Sequence, residues 1–263
     1  MKKVAVVTGG SSGIGLCAVR ALRQAGCIVY AVSRRSFEEE GVISLSADVT
    51  DDQAVRQAAE RIYAEQGRID ILVNDAGMGI SGAVEFTETS AAQRLFDVNF
   101  FGMVRMCEAV LPMMRGQGGG RIVNLGSVAG VVPIPFQTYY SASKAAVHAY
   151  TMALANEVRP FGISVCALMP GDIRTGFTQA RQKLHQGDDI YGGRIGRSVA
   201  AMEHDEQTGM APERVGDYIA RLCLRRRVKP LCSLGLGYRC VCVLAKLLPC
   251  GLLNRLVGLL YAK

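Results

Sequence analysis

Short runs of β-branched and aliphatic residues alternate along this chain with longer stretches whose apolar positions recur every three or four residues. Residues 4–7, 28–32, 42–45, 69–73, 121–125, 163–168 and 231–234 read as strands, and 14–24, 52–66, 89–114 and 139–158 as helices. Strands separated by helical stretches imply right-handed βαβ units, because a parallel neighbour is reached only through a crossover. The predicted fold is therefore α/β: a doubly wound, Rossmann-like parallel sheet with helices on both faces. No repeat and no low-complexity linker divides the sequence, so residues 1–263 read as one domain. Two stretches break the rhythm. Residues 171–209 are Gly-rich and polar, and 171–210 is taken as a substrate loop or lid, with a mobile surface excursion as the alternative. Ala211-Pro212-Glu213 then opens a helix, and residues 236–263 form an apolar helical extension.

Composition adds little to the fold and more to the surroundings. Of 263 residues, 49% are hydrophobic and 20% charged, enough for a large core and unlike a disordered chain. The nine cysteines show no zinc-ribbon spacing and the N-terminus no apolar signal segment, so reduced thiols and a cytoplasmic location are expected. From Tyr218 onward come Arg221, Arg225, Arg226, Arg227, Lys229, Arg239, Lys246, Arg255 and Lys263, with no Asp or Glu. The basic character is thus local. The cluster at 225–229 lacks aromatic interleaving or a DNA-reading motif, so nucleic acid is not an expected partner.

The first chemical signal follows the first strand, in Thr8-Gly9-Gly10-Ser11-Ser12-Gly13-Ile14-Gly15. Glycines there let the backbone approach a pyrophosphate, and the helix beginning near Ile14 aims its free N–H groups at the anion. At the end of the second strand, an acidic residue would favour the ribose hydroxyl of NAD. This chain has Ser33-Arg34-Arg35 instead. A serine hydroxyl and a guanidinium suit a 2′-phosphate, so NADP(H) is the expected cofactor, chiefly through Arg34, with NAD(H) as the alternative.

The second signal is Tyr140-Ser141-Ala142-Ser143-Lys144, where a phenol and an ammonium four residues apart share a helix face. A neighbouring cation stabilises phenolate, making the tyrosine a usable acid or base toward a carbonyl or alcohol. Tyr139 is adjacent, but only Tyr140 has lysine four residues on. Ser127, just past the strand at 121–125, lies where open α/β sheets place their sites and can hydrogen-bond the substrate oxygen. The histidines His148, His185 and His204 are scattered and read as structural or surface residues, so no metal site is expected.

These motifs, in this order, resemble the short-chain dehydrogenase/reductase family over residues 3–176: TGGSSGIG, ADV around Asp48 and Val49, NDAG at 74–77, Asn99 in DVNFFG, Ser127 in NLGSVAG, YSASK and PGDIRT at 170–175. The resemblance implies adenine contact at Asp48 and Val49, and cofactor packing along Asn74, Ala76 and Gly77. It implies a catalytic tetrad of Asn99, Ser127, Tyr140 and Lys144, with Asn99 supporting a proton-relay water. Pro170, Gly171, Ile173 and Thr175 would hold the nicotinamide carboxamide, and Lys144 would grip the nicotinamide ribose. Asp75 departs from the asparagine common in the family and is discounted as part of a turn. A homodimer or homotetramer through the helices at 89–114 and 139–158 is a further implication.

The leucine-rich tail resembles that of hydroxysteroid- and retinol-dehydrogenase-like members. Arg239, Lys246 and Arg255 interrupt every stretch long enough to span a membrane. Three readings stay open: helices packed over the core or a subunit interface, a basic amphipathic surface on anionic lipid, or an apolar wall for substrate. Val241, Leu244, Ala245 and Leu248 share one face, with Leu252, Leu253, Leu256, Leu259 and Leu260 as a second set beyond Pro249. The expected activity is hydride transfer between NADP(H) and a ketone or secondary alcohol, on a lipophilic substrate resembling a steroid, retinoid or lipid. A small or sugar-like carbonyl compound, and a non-catalytic NADP(H)-binding sensor, are the alternatives.

Overall fold

The computed structural model describes residues 1–262. Strands β1 (Val4–Thr8), β2 (Ile28–Ser33), β3 (Val42–Ser46) and β4 (Ile71–Asn74) come first, with helices α1 (Gly13–Gln24) and α2 (Asp52–Gln66) between them. A two-residue strand, β5 (Ile80–Ser81), precedes α3 (Thr89–Phe96), a π-helical turn (Asp97–Phe101) and α4 (Gly102–Gly116). Then follow β6 (Gly120–Leu125), α5 (Thr138–Glu157), β7 (Ile163–Met169), α6 (Phe177–Ala180), β8 (Gln182–Lys183), α7 (Arg194–Gln207) and α8 (Pro212–Leu224). The chain closes with β9 (Leu231–Ser233), α9 (Leu236–Leu247) and α10 (Cys250–Tyr261).

The seven strands predicted from periodicity form one sheet in the order β3-β2-β1-β4-β6-β7-β9, every pairing parallel. Strand β1 sits centrally, Val4 opposite Ile28 on one side and Ala5 opposite Ile71 on the other. Its run VAVVT is buried throughout, as a strand covered on both faces must be. Val4 and Val6 pack with Val55 and Ile62 of α2, Met106 of α4 and Val147 of α5; Ala5 and Val7 pack with Val19 and Leu22 of α1 and Ile219 of α8. Each fully buried Val or Leu there contributes roughly 1.5–3 kcal/mol relative to exposure. The switch point beside β1, where connections turn from β2 and β3 toward β4, opens the cleft described below.

The structure adds detail to three expectations. The helical stretch read as 89–114 is interrupted by a π turn that carries Asn99, whose side-chain bonds to Met78 and Ser143 hold the extra residue. The stretch 171–209, read as a substrate loop or lid with a mobile surface excursion as the alternative, contains regular elements. It holds α6, α7 and β8, and β8 pairs with β5 through Ile80–Gln182 and Ser81–Lys183. Helices α9 and α10 bury little of their own: of their residues only Cys242 and Val257 are buried, while Leu244, Leu252, Leu256 and Leu259 face outward. No helix among the described residues is long and apolar enough to cross a membrane.

Candidate active site

The glycine loop joins β1 to α1. Gly9 is left-handed at φ 69° and lies so close to the next motif that a Cβ there would meet the Ala76 nitrogen at 3.0 Å. A Cβ on Gly15 would lie 2.3 Å from the Gly9 carbonyl oxygen, so only glycine fits the first turn of α1. Ser12, the residue before that turn, is extended and makes no side-chain cap bond, which leaves the Gly13 and Ile14 amides to meet an anion, while the Gly15 amide is taken by the Asp75 carboxylate. Thr8 braces the loop from below: its hydroxyl accepts the backbone N–H groups of Asp75 at 3.1 Å and Ala76 at 3.2 Å. This arrangement fits a dinucleotide pyrophosphate.

Strand β6 delivers Ser127 to the same rim, and α5 delivers Tyr140 and Lys144. The Ser127 hydroxyl neighbours the Tyr140 phenol and stabilises its anion, and the ring leans on Phe177 with centroids 5.7 Å apart. Burial pushes the phenol up to about 12, with Ser127 and then Arg181 pulling it back, so Tyr140 is a protonated donor at neutral pH. The Lys144 ammonium lies 5.7 Å from the centre of the Tyr140 ring and donates to the Leu125 carbonyl at 2.7 Å. Burial lowers it to about 8, against the pull of Asp75. Asn99 is buried in the π turn, where its Oδ1 accepts Met78 N–H at 2.7 Å and its Nδ2 donates to the Met78 carbonyl at 2.9 Å and to Ser143 Oγ at 3.3 Å. It thereby fixes the strand-end segment against α5.

One continuous cavity of about 610 Å³ runs from the glycine loop past these groups. Gly9, Ser12, Gly13, Ile14, Ala76, Gly77, Ser127, Tyr140, Lys144, Pro170, Gly171, Ile173 and Thr175 all line it. Other expected contacts lie outside its lining. Gly15 is behind the loop, Ser11 beside it, and Ser33, Arg34, Asp48 and Val49 stand at the carboxyl ends of β2 and β3, with Arg34 exposed. The Asn74 side chain turns into the sheet, donating to Asn124 Oδ1 at 2.9 Å and to Cys107 Sγ at 3.5 Å, so its amide ties β4 to β6. Among the described residues no group of three or more His, Cys, Asp or Glu could hold a metal ion.

Two residues gain importance over their sequence reading. Asp75, discounted as part of a turn, lines the cavity beside the glycine loop. Burial raises its carboxyl to about 7, while Lys144 and the Gly15 amide stabilise the anion. His148 is buried behind the site, its Nε2 accepting the Ser127 N–H at 3.4 Å. Its spacing of four from Lys144 and eight from Tyr140 was the available signal, since those positions share one face of α5.

Burial, then the Lys144 charge, lowers the His148 pKa to about 4 from an ordinary 6.5. The unfolded chain therefore binds a proton in a range where the folded one does not. The resulting stability is complete above about pH 6.5 and drains away as pH falls toward 4, by about 3 kcal/mol in all. Urea unfolding at pH 7.5 and pH 5 measures it. The His148→Gln variant, which cannot titrate, is expected to lose clearly less stability over that interval than the unsubstituted protein; an equal loss would assign the acid sensitivity elsewhere.

A profile of the short chain dehydrogenases matches residues 3–186. The chain belongs to the short-chain dehydrogenase/reductase family. It is 44% identical over 227 residues to a 3-ketodihydrosphingosine reductase of Bacteroides thetaiotaomicron, covering 85% of this chain and 84% of that protein. Among solved structures, a short-chain dehydrogenase from Streptomyces avermitilis superimposes with a TM-score of 0.82 at 30% identity, over 92% of this chain and 91% of that one. A 3-ketoacyl-(acyl-carrier-protein) reductase from Brucella melitensis, complexed with NADH, superimposes with a TM-score of 0.75 at 25% identity, over 89% and 96% of the two chains. The family assignment makes the chain an oxidoreductase with an NAD(P)-type fold, and the cavity is where a nicotinamide dinucleotide fits.

Proposed function

We propose that this enzyme is an NADP(H)-dependent reductase of a long-chain lipid ketone, working between the ketone and its secondary alcohol. The observation that carries the reading is the cavity wall beyond Tyr140, built from Val132, Ile134, Met202, Val241, Val257 and Leu260. An apolar wall continuous with the catalytic phenol favours a carbonyl carried on a hydrocarbon body over a sugar-like one. The relative named for reducing 3-ketodihydrosphingosine supports the same class.

The bound nicotinamide supplies or accepts the hydride. Gly9, Ser12, Gly13 and Ile14 would take the pyrophosphate, Asp48 and Val49 the adenine, Ala76 and Gly77 the middle of the cofactor, and Pro170, Gly171, Ile173 and Thr175 the carboxamide. Ser127 Oγ holds the substrate oxygen, and Tyr140 gives it a proton as the carbon is reduced, or removes one in the reverse direction. Lys144 keeps a positive charge beside that exchange and binds the ribose. Asn99 positions the Met78 segment and α5 through the bonds already described. A non-catalytic sensor has no use for a hydroxyl and a phenol set side by side next to a buried lysine.

Cofactor choice rests on the carboxyl end of β2. Ser33 Oγ donates to the Arg35 carbonyl at 2.6 Å and Ser46 Oγ to the Arg34 carbonyl at 3.1 Å, which pins the backbone and leaves the Arg34 guanidinium exposed. Arg34→Ala is expected to reduce the NADPH-over-NADH ratio of kcat/KM by about 10- to 100-fold, the worth of a charge-assisted hydrogen bond. An unchanged ratio in steady-state assays would remove Arg34 from cofactor choice. Partners in this reading are further copies of the chain, as a homodimer or homotetramer. Phe101 of the π turn and Met152 of α5 are exposed apolar groups on the elements that would meet.

The direct test follows NADPH oxidation against long-chain keto lipids, steroids, retinoids and small sugars. Turnover of the long-chain ketones above the rest is expected; turnover confined to sugars would overturn the proposal.

A further inference from the structure

We propose that the α9–α10 face docks on an anionic lipid bilayer and that the substrate cavity opens into that face, so that substrate passes from the leaflet to Tyr140 without crossing water. The access route rests on the lipid-ketone reading; the docking does not.

The first observation is where apolar surface is left uncovered. Leu236, Val243, Leu244, Leu247, Leu252, Leu256 and Leu259 are all exposed, Leu236 at 78% and Leu247 at 75%. They come from two consecutive helices joined at Pro249, each of 12 residues and so about 18 Å long, too short to span a bilayer. Concentrated apolar exposure of this kind marks an interaction surface rather than ordinary scatter.

The second observation is charge, which selects the occupant. From Tyr218 to the end the chain has nine basic residues and no acidic one, and Arg239, Lys246 and Arg255 stand exposed on these same helices. A second copy docked two-fold on this face would set like charge against like charge. An anionic leaflet would meet both features together: headgroups for Arg239, Lys246 and Arg255, acyl chains for the leucines.

The third observation ties the face to the active site. Val241, Val257, Leu260 and Tyr261 line the catalytic cavity, yet Leu260 is 70% exposed. A residue that is at once cavity wall and outer surface marks the cavity's mouth, and this mouth lies among the exposed leucines. Two phenols hold the helices in that place. Tyr238 donates to Asp172 Oδ2 at 2.7 Å, on the Pro-Gly segment, and Tyr261 donates to Asp205 Oδ2 at 3.0 Å, on α7. The Arg194 guanidinium adds a bond to the Ala262 carbonyl at 2.7 Å. The pair of helices is thus anchored at both ends by polar bonds to the substrate side of the site, with few buried apolar contacts beneath it.

The chain contains no tryptophan, so Leu259→Trp introduces a single reporter. With phosphatidylglycerol vesicles its emission is expected to shift to the blue and to be quenched by brominated acyl chains, and with phosphatidylcholine vesicles to do neither. No quenching in phosphatidylglycerol would overturn the docking. The Leu247→Glu/Leu256→Glu double variant alters neither cavity lining nor catalytic groups. It should lose vesicle binding by at least about tenfold and reduce a vesicle-held long-chain ketone at least about tenfold more slowly, while a water-soluble short-chain ketone is reduced at an unchanged rate. Equal rates on the vesicle-held ketone would overturn the access route. A double variant that dissociates an oligomer in light scattering while still binding vesicles would give the face to a second copy and overturn the docking. Normal vesicle binding with no ketone reduced in either phase would sink the lipid-ketone function, and the route with it, and leave the docking standing.

Discussion

Replacing Tyr140 by phenylalanine is expected to lower turnover about a thousandfold, a mid-range loss for a positioned general acid, while NADPH binding stays within about twofold. The two parts of that expectation come from different atoms. The ring rests on Phe177, and phenylalanine keeps that contact. The phenolic oxygen alone neighbours the Ser127 hydroxyl, and burial holds it protonated up to about 12. Reduction of a ketone leaves an alkoxide unless a proton arrives with the hydride, and a protonated phenol beside the hydroxyl that holds the same oxygen is placed to supply it. Tyr139, its neighbour on α5, does not line the cavity and cannot substitute. Stopped-flow NADPH oxidation together with fluorescence titration of NADPH separates the two readouts. A variant keeping more than about a tenth of its turnover would show that another group carries the proton.

How much of this was legible in the sequence depends on whether the signal was local. The cofactor loop and the Tyr140–Lys144 pair are set by the geometry of one turn and one helix face, so spacing alone discloses them. Strand runs such as VAVVT announce burial on both faces, and the sheet order follows from the crossovers they require. The π turn is different. Its extra residue is fixed by the bonds of Asn99 to Met78 and Ser143, distant in sequence, and the apolar period gives no warning of it. Segment 171–209 hid its order for a similar reason: its Gly-rich, polar surface reads as loop, while Ile195, Val199 and Met202 form a small core with Ala83 and, at its edge, Phe136 and Tyr261. Asp75 was misjudged because a turn residue is evaluated by its turn; the burial and the Lys144 charge that give it chemistry come from α1 and α5. The tail offered three readings because amphipathic periodicity states that an apolar face exists and leaves open what meets it.

Lys144→Ala is expected to reduce kcat/KM by about two to three orders of magnitude and, unlike the tyrosine variant, to weaken NADPH binding as well. The cation is held at 2.7 Å to the Leu125 carbonyl and lies beside the phenol, and among the described residues nothing else of positive charge lines the cavity. Because burial lowers Lys144 to about 8, the unsubstituted enzyme should lose kcat/KM as pH rises through 8, where the free enzyme sheds the charge. Asp75 opposes that loss. Its carboxylate favours the ammonium, and is itself ionised only above about 7, since burial raises it. Asp75→Asn removes the anion, so the lysine should deprotonate more readily and the alkaline limb should move to lower pH. At neutral pH the same substitution removes a negative charge from the wall of a cavity that takes an anionic cofactor, so NADPH should bind more tightly. The two effects have opposite consequences, better binding and an earlier alkaline loss, and a merely structural turn residue would produce neither. A pH profile of kcat/KM that is superimposable for Asp75→Asn and the unsubstituted enzyme would return Asp75 to the turn and leave burial alone to account for the lysine.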